Sequence, residues 1–431
     1  MAALSAGPLA LKSPEEVSGL VFDPVDPGAR VQAAAILSEV KERGLDGLLD
    51  VAVRLKDLET RESKLFYDKA DLQRAFLELP ESERGVLERT AARIRTFAEA
   101  QRKSVTETTI SIPGGQAGHF IAPVAVAGCY APGGRYPLPS SVLMTAVTAR
   151  TAGVGTVWVA SPRPAPATLA AAHVAGADGL LVVGGAQAIG AMAYGVGPVP
   201  ACDVIVGPGN KWVTAAKSLV AGICAIDMLA GPSEVLVIAD DTCSPRTVAA
   251  DLLAQAEHDT EARPILVSTS AAVIDKVNAE LREQLAVLPT GATAAEAVKK
   301  GFACLCPDMA TAIRISDVIG PEHLAVHTDD ALGVSKRCTS YGAVFIGSVS
   351  AEVLGDYGAG PNHVLPTCGT ARYTGGLSVF TFLRIRTWMN ITAGGDAAAQ
   401  EMIADAVQLA RIEGLEGHAR AAECRLTSGS K

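Results

Sequence analysis

From Val124 onward the sequence alternates short apolar runs with helix-like segments, and this alternation constrains the fold more than any other feature. VAVAGCY is followed by a Gly/Pro loop and then by SSVLMTAVTAR. TVWVAS precedes an Ala-rich segment over 165–175, LLVVGG precedes 186–194, and DVIVGP precedes 211–220. AIDML and EVLVIAD read as two more strands, and PILVSTS, FACLCP, HLAVHT and AVFIGS continue the series. Uninterrupted apolar strands are buried on both faces, so the pattern predicts mainly parallel sheets covered by helices. The fold class expected is α/β.

The flanks differ. The first hundred residues look helical and charged. One helix is predicted over 31–43, with Val31, Ile36, Leu37 and Val40 as its apolar positions and Gly44 as its C-cap. Another helical region spans 71–101 and is divided at Pro80. The tail over 396–426 is helical and loosened at Gly414 and Gly417.

Composition excludes several classes. Thirty-seven basic residues against 46 acidic ones give a net charge of −9, which opposes general binding to a phosphate backbone. Hydrophobic content of 49% with 19% charged excludes a disordered chain. Nine cysteines without a CxxC pair read as reduced thiols, and Cys304 and Cys306 are expected on one face of a strand. Residues 1–24 hold one basic residue, Lys12, and no long apolar run, unlike a signal peptide. The uncharged stretch 179–202 could match a membrane span in length, but Gly184, Gly185, Gly195, Gly197, Pro198 and Pro200 interrupt it. A soluble, cytoplasmic protein is expected, with a plastid as the alternative if a targeting segment was removed.

Candidate chemistry falls in five places. Ser244 and Pro245 open a helix on which Gln255 and His258 share a face at i, i+3, and an amide oxygen with an imidazole can ligate a borderline divalent ion. Asp356 and His363 lie in the loop GDYGAGPNHVLPT, where an Asx-turn and a surface histidine are the plainer alternative. Glu322 and His323 form an acid–base pair, but side chains of adjacent extended residues face apart unless the backbone turns there. Glu413 and His418 flank Gly414 and Gly417 in what could equally be a solvated tail. The loops YAPGGRYPLPSS, GGAQAIG and VGPGNK sit at strand-to-helix junctions, where backbone N–H groups suit an anion and close packing is the other explanation. None matches GxGxxG or a Walker A loop.

Together these segments resemble the histidinol dehydrogenase family over nearly the whole chain. The most specific parts are CYAPGGRYPLPSSVLMTA, GGAQAIGAMAYG, VGPGNKWVTAAK, AIDMLAGPSEVLVIAD, LLAQAEHD, IGPEHL, GDYGAGPNHVLPT and EGLEGHARAAECR. The resemblance implies a zinc enzyme that oxidises L-histidinol through L-histidinaldehyde to L-histidine with two NAD. It implies zinc on Gln255, His258, Asp356 and His418 of the partner subunit. His323 would be the base, and Glu322 would activate water. Substrate contacts would come from Ser233, Gln255, His258, His323, Asp356, His363, Glu413 and His418, with Glu413 acting across the interface as well. NAD contacts would come from Tyr130, Gln187 and Asn210. The implied fold has two Rossmann-like α/β/α domains, one inserted in the other, a helical N-terminal arm, and a small C-terminal helical domain exchanged in a homodimer. The expected partition is 1–20 for the arm, 21–128 with 235–376 for the large domain, 129–234 for the inserted NAD-binding domain, and 377–431 for the exchanged domain.

One run departs from the family. After GGLSV many members carry Asp-Phe-x-Lys, then Thr or Ser and a nearby Gln, whereas this chain reads FTFLRIRTWMN from Phe380. The same scaffold serves dehydrogenases of other small polar alcohols, such as sulfopropanediol, so that substrate class is the alternative. A zinc hydrolase built on Gln255, His258 and Asp356 with Glu322 as base, and a non-catalytic metal-binding protein, are alternatives of other classes.

Overall fold

A computed structural model describes residues 7–20, 23–133 and 137–426. The remainder of the N-terminal arm and residues 134–136 of the first Gly-rich loop lie outside the described residues. The chain divides into two compact units, Met1–Arg102 with Val124–Phe382, and Lys103–Pro123 with Leu383–Lys431.

In chain order the first unit begins with β1 (Ala10–Lys12), α1 (Pro14–Ser18), α2 (Pro27–Arg54), β2 (Phe66–Asp68), α3 (Lys69–Glu78) and α4 (Glu81–Lys103). The hairpin strands β3 (Thr108–Ile112) and β4 (Gly115–Pro123) belong to the second unit. The first unit resumes with β5 (Val126–Tyr130), α5 (Pro139–Ala152), β6 (Thr156–Ala160), α6 (Pro166–Val174), β7 (Gly179–Leu181), α7 (Gly185–Tyr194), β8 (Val204–Val206), α8 (Lys211–Val220) and β9 (Ala225–Ile226). Next come β10 (Glu234–Ala239), α9 (Pro245–Ala256), β11 (Arg263–Ser268), α10 (Ala271–Val287), α11 (Gly291–Val298), β12 (Phe302–Leu305) and α12 (Met309–Ile319). β13 (His323–His327), α13 (Ala331–Arg337), β14 (Ala343–Ile346) and α14 (Glu352–Leu354) complete its regular elements.

Two six-stranded sheets result, in the orders β1-β12-β11-β10-β13-β14 and β2-β7-β6-β5-β8-β9. Each starts from an inner strand, β10 or β5, adds two strands to one side and then two to the other. The two halves therefore share one topology, with an N-terminal strand added at the far edge. All pairings are parallel except β2 with β7. The reversal of strand order falls between β10 and β13 in the first sheet and between β5 and β8 in the second. The first sheet's core packs Val235, Val237 and Leu266 on one face, and Leu236, Ile238 and Val267 on the other. Burial on both faces is what continuous apolar strands require.

Two expectations change. Residues 10–12 of the presumed helical arm instead form β1, paired in parallel with β12, which covers an otherwise open sheet edge. Gly44 does interrupt its helix as expected, with φ 57° and ψ −129°, and a second helical segment, included in the α2 range, follows it to Arg54 with Leu48, Val51 and Ala52 buried. The segment 21–128, assigned by sequence to the large domain, contributes β2 and β5 to the second sheet, and α2 packs on α7 and α8.

In the second unit, β15 (Leu383–Ile391) pairs antiparallel with β4, which pairs with β3. Helices α15 (Ala397–Ile412) and α16 (Glu416–Glu423) follow. The run that departs from the family thus forms a turn over Val379–Phe382 and an edge strand, with Phe120 stacked on Trp388.

Candidate active site

The acid–base pair lies at the amino ends of β10 and β13. Register pairs Val235 with His323, so Glu234 and Glu322, each one residue earlier, come together. The Glu234 N–H donates to Glu322 Oε2 at 2.9 Å. Helix α12 ends on Gly320, and Pro321 follows, so Glu322 precedes the strand rather than extending it. That turn lets both side chains reach one place: His323 Nδ1 is 3.6 Å from Glu322 Oε2. His323 Nδ1 also lies 3.2 Å from the Glu234 carbonyl. A carbonyl only accepts, so Nδ1 carries the proton and Nε2 keeps its lone pair. Nε2 faces Asp356 Oδ1 at 3.9 Å and has no hydrogen-bond partner.

Asp356, His258 and His363 act on this base, and Gln255 lies one turn from His258. Gln255 sits in the last turn of α9, capped at its start by Ser244, and is 1% exposed. His258 stands just beyond the helix end and donates its N–H to the Gln255 carbonyl at 3.3 Å, so the two stay within one turn. Asp356 lies in a π-helical turn, Gly355–Ala359, a distortion that often marks functional sites. His363 is held by its neighbour Asn362, whose amide donates to the Met144 carbonyl on α5 at 2.9 Å. Ser233 stands immediately before β10, and its side chain opposes the upward push of burial on the Glu322 carboxyl.

Burial sets the electrostatics. His323 is pushed down to about 3 and His363 to about 4 by burial, and burial also lowers His258. These imidazoles are neutral, as a base or a metal ligand must be. Burial raises the carboxyls, Asp356 to about 6 and Glu234 to about 7, with Glu322 and Glu352 well above their ordinary range. Glu234 and Glu352 were not singled out from sequence. Glu352 Oε1 is 3.6 Å from His323 Nδ1, and one oxygen of each glutamate is buried without a partner. The available signals were an acid opening the apolar run EVLVIAD, and an acid four residues before Asp356.

The donor set suits zinc. Gln255 Oε1, His323 Nε2 and His363 Nε2 are buried and unpartnered. Such atoms each cost about 1–3 kcal/mol unless a ligand satisfies them. Among the described residues no group of three or more His, Cys, Asp or Glu side chains converges as a metal site. Gln255, His258 and Asp356 would supply three protein ligands, one of them an amide, which leaves a position open for another donor.

Tyr130, Gln187 and Asn210 lie elsewhere in the same unit, at the carboxyl edge of the second sheet. Tyr130 ends β5, Gln187 is on α7, and Asn210 caps α8 by accepting from the Trp212 and Val213 N–H groups. They flank the reversal of strand order, where open α/β sheets bind ligands. The backbones are closest at Gly207, after β8: φ is 120°, and a Cβ there would lie 2.0 Å from the Tyr130 carbonyl oxygen. Only glycine fits. Lys217 and Asp227 form a buried ion pair that holds this residue, Lys217 Nζ donating to the Gly207 carbonyl at 3.1 Å and Asp227 Oδ2 accepting from its N–H at 2.7 Å.

Helix capping differs between the two sheets at this edge, although α8 of the second sheet is capped by Asn210. In the first sheet α9, α10, α12 and α13 are capped by the side chains of Ser244, Ser270, Asp308 and Asp330. In the second, α5, α6 and α7 begin after Leu138, Ala165 and Gly184, which make no side-chain cap. The α7 end is nevertheless not bare: Gly184 N–H donates to Asp57 Oδ2 at 2.8 Å and Gly185 N–H to Tyr130 Oη at 3.2 Å.

Glu413 and His418 belong to the second unit and are exposed there. Glu413 caps the end of α15, Gly414 breaks the chain with φ 76°, and His418 lies on α16.

Residues 26–426 match the family model for histidinol dehydrogenase. The chain is 43% identical to the histidinol dehydrogenase of Thermus thermophilus over 408 residues, covering 94% of this chain and 96% of that protein. It is 43% identical to that of Halobacterium salinarum over 404 residues, covering 92% and 93%. A crystal structure of histidinol dehydrogenase from Elizabethkingia anophelis superposes with a TM-score of 0.89 at 30% identity, covering 97% of this chain and 98% of that one.

Proposed function

The chain belongs to the histidinol dehydrogenase family, NAD-linked oxidoreductases of histidine biosynthesis, and on that premise we propose how its residues divide the work. The substrate is L-histidinol, oxidised in two steps to L-histidine with two NAD. Gln255, His258 and Asp356 hold zinc, which when bound orients and polarises the substrate oxygen. His323 Nε2 takes the hydroxyl proton as hydride leaves the carbinol carbon for NAD. Glu322 takes a proton from the water that adds to the aldehyde, and a second hydride then passes to the second NAD. Ser233 and His363 contact the substrate. The observation that carries this reading is the buried His323, with Nδ1 on the Glu234 carbonyl and Nε2 unpartnered toward Asp356.

Tyr130, Gln187 and Asn210 bind NAD at the second sheet. That sheet's continuous stretch from β5 to β9, lying between β1 and β10, supports reading it as the inserted domain. His418 of the partner subunit completes the metal site, and Glu413 of the partner subunit faces the cationic amine of histidinol. Support for this homodimer comes from the second unit's exposed apolar residues, among them Ile385, Met389 and Ile412. No described helix is long and apolar enough to cross a membrane, and a cytoplasmic site of action accords with that.

The decisive experiment follows NADH absorbance with L-histidinol before chelation, after it, and after zinc return. Two NADH per histidinol, lost on chelation and restored by zinc, is the expected result. Bound zinc and NAD with no turnover of histidinol would refute the substrate and direct attention to other small polar alcohols, with the altered run from Phe380 as the reason.

A further inference from the structure

We propose that Asp57 is a positioning residue for the cofactor: it fixes the Gln187 amide so that Oε1 is presented to the dinucleotide as a hydrogen-bond acceptor. The inference rests on the reading that Gln187 binds NAD. It adds a residue from a different part of the chain and names the kind of group that Gln187 receives.

Asp57 follows α2 and is anchored by its own N–H, which donates to the Ala52 carbonyl at 2.8 Å. Its Oδ2 accepts from two donors, the Gly184 N–H at 2.8 Å and Gln187 Nε2 at 2.7 Å. An amide can be turned end for end, and its orientation is set by what it meets. An oxygen already accepting from a backbone N–H can only accept from Gln187 as well, so the nitrogen must face Asp57. The oxygen is then directed away. Gln187 is 2% exposed, and its Oε1 is buried without a partner. A buried acceptor left open in this way costs free energy until a donor arrives.

The chemistry of the occupant follows. Asp57 and Gln187 Oε1 together offer acceptors, while the Arg163 cation acts on the Asp57 carboxylate. A phosphate, which also only accepts at this charge, is disfavoured here. A hydroxyl or amide N–H of the dinucleotide is favoured. The α7 N-terminus, expected from sequence as an anion site, has its first two N–H groups occupied by Asp57 and Tyr130. Gln187 therefore reads an uncharged, donor-bearing part of NAD.

The test measures NADH binding to the full chain by fluorescence titration without substrate, alongside thermal melting of each variant without ligand. Asp57→Ala removes the acceptor that fixes the Gln187 amide and lets it turn its oxygen inward. It should weaken NADH binding by about tenfold or more, the scale of a mismatched buried hydrogen bond. Gln187→Leu should weaken binding to a similar degree, and the double variant should bind no worse than Gln187→Leu alone. Asp57→Ser, whose shorter side chain still offers an oxygen to Gly184, carries the same test if the Ala variant does not fold. Asp57 variants that bind NADH like the parent would overturn the inference while leaving the NAD reading intact. So would losses that multiply in the double variant, because Asp57 would then act independently of Gln187. A parent chain that binds no NADH would defeat both.

Discussion

Replacing Lys217 with Met tests how the edge of the second sheet is held. The side chains of Lys217 and Asp227 are 3% and 0% exposed, and no water can replace the lost cation. Asp227 would keep two N–H donors, Gly207 at 2.7 Å and Met228 at 2.7 Å, but its charge would stand unpaired in the interior. Breaking a buried pair from one side costs about 3–5 kcal/mol. At roughly 2–4 °C per kcal/mol for domains of this size, the melting temperature should fall by about 6–20 °C. Met keeps the length and apolar stem of Lys, so packing is little changed. Adding Asp227→Asn removes the stranded charge while retaining an acceptor, and should return about 1–3 kcal/mol of the loss. Thermal unfolding of the parent and the two variants by circular dichroism gives the answer. A shift below about 2 °C for the single variant, on the same scale, would refute the reasoning. So would an Asp227→Asn change that deepens the loss instead of relieving it.

Three further outcomes are expected. Gly207→Ala should abolish NADH binding or soluble expression, since its Cβ would overlap the Tyr130 carbonyl at φ 120°; a well-folded Ala variant with parental binding would contradict the close approach. His323→Asn should lower kcat by about 100-fold or more while changing the histidinol KM much less, and equal effects on both would argue for a binding role instead. Burial pushes the Asp178 carboxyl up, but Lys69, the Val157 N–H and Arg150 outweigh it and hold the group below its ordinary value. That interaction stabilises the fold above the unfolded-state pKa and is lost as pH falls through the folded one. Asp178→Asn should therefore be less stable than the parent near neutrality and should approach it in acid, as denaturant melts at several pH values would show.

The sequence made the repeating frame readable because fully buried strands leave an unmistakable apolar signature. Local chemistry was equally plain at Ser244 and Pro245, and at Gly414, where the tail does break. Cys304 and Cys306 do share a face, with their sulfurs 3.9 Å apart. Local signals failed where tertiary packing decides. Residues 10–12 read as part of a helical arm, yet pairing with β12 makes them a strand. β3, β4 and β15 were not recognised because their partners lie far apart in sequence and their faces are only half covered. The site divides along the same line. Gln255, His258, Asp356 and the Glu322–His323 pair were visible as motifs. Glu234 reaches the pair only through the parallel register of β10 and β13, and Glu352 only through the fold of the loop after β14, so neither has a local signature of its role.

The shared topology of the two sheets has a consequence for how such proteins diversify. Both halves present helix starts at the carboxyl edge of the same strand order, yet one set is closed by Ser244, Ser270, Asp308 and Asp330. In the other, α5, α6 and α7 begin after Leu138, Ala165 and Gly184, and Asn210 alone supplies a side-chain cap, at α8. A closed start and an open one are a single side chain apart, and neither choice touches the core or the strand order. Closing or opening a helix start at such an edge then takes a handful of junction substitutions. A repeated frame can in this way acquire two occupations without learning a second fold.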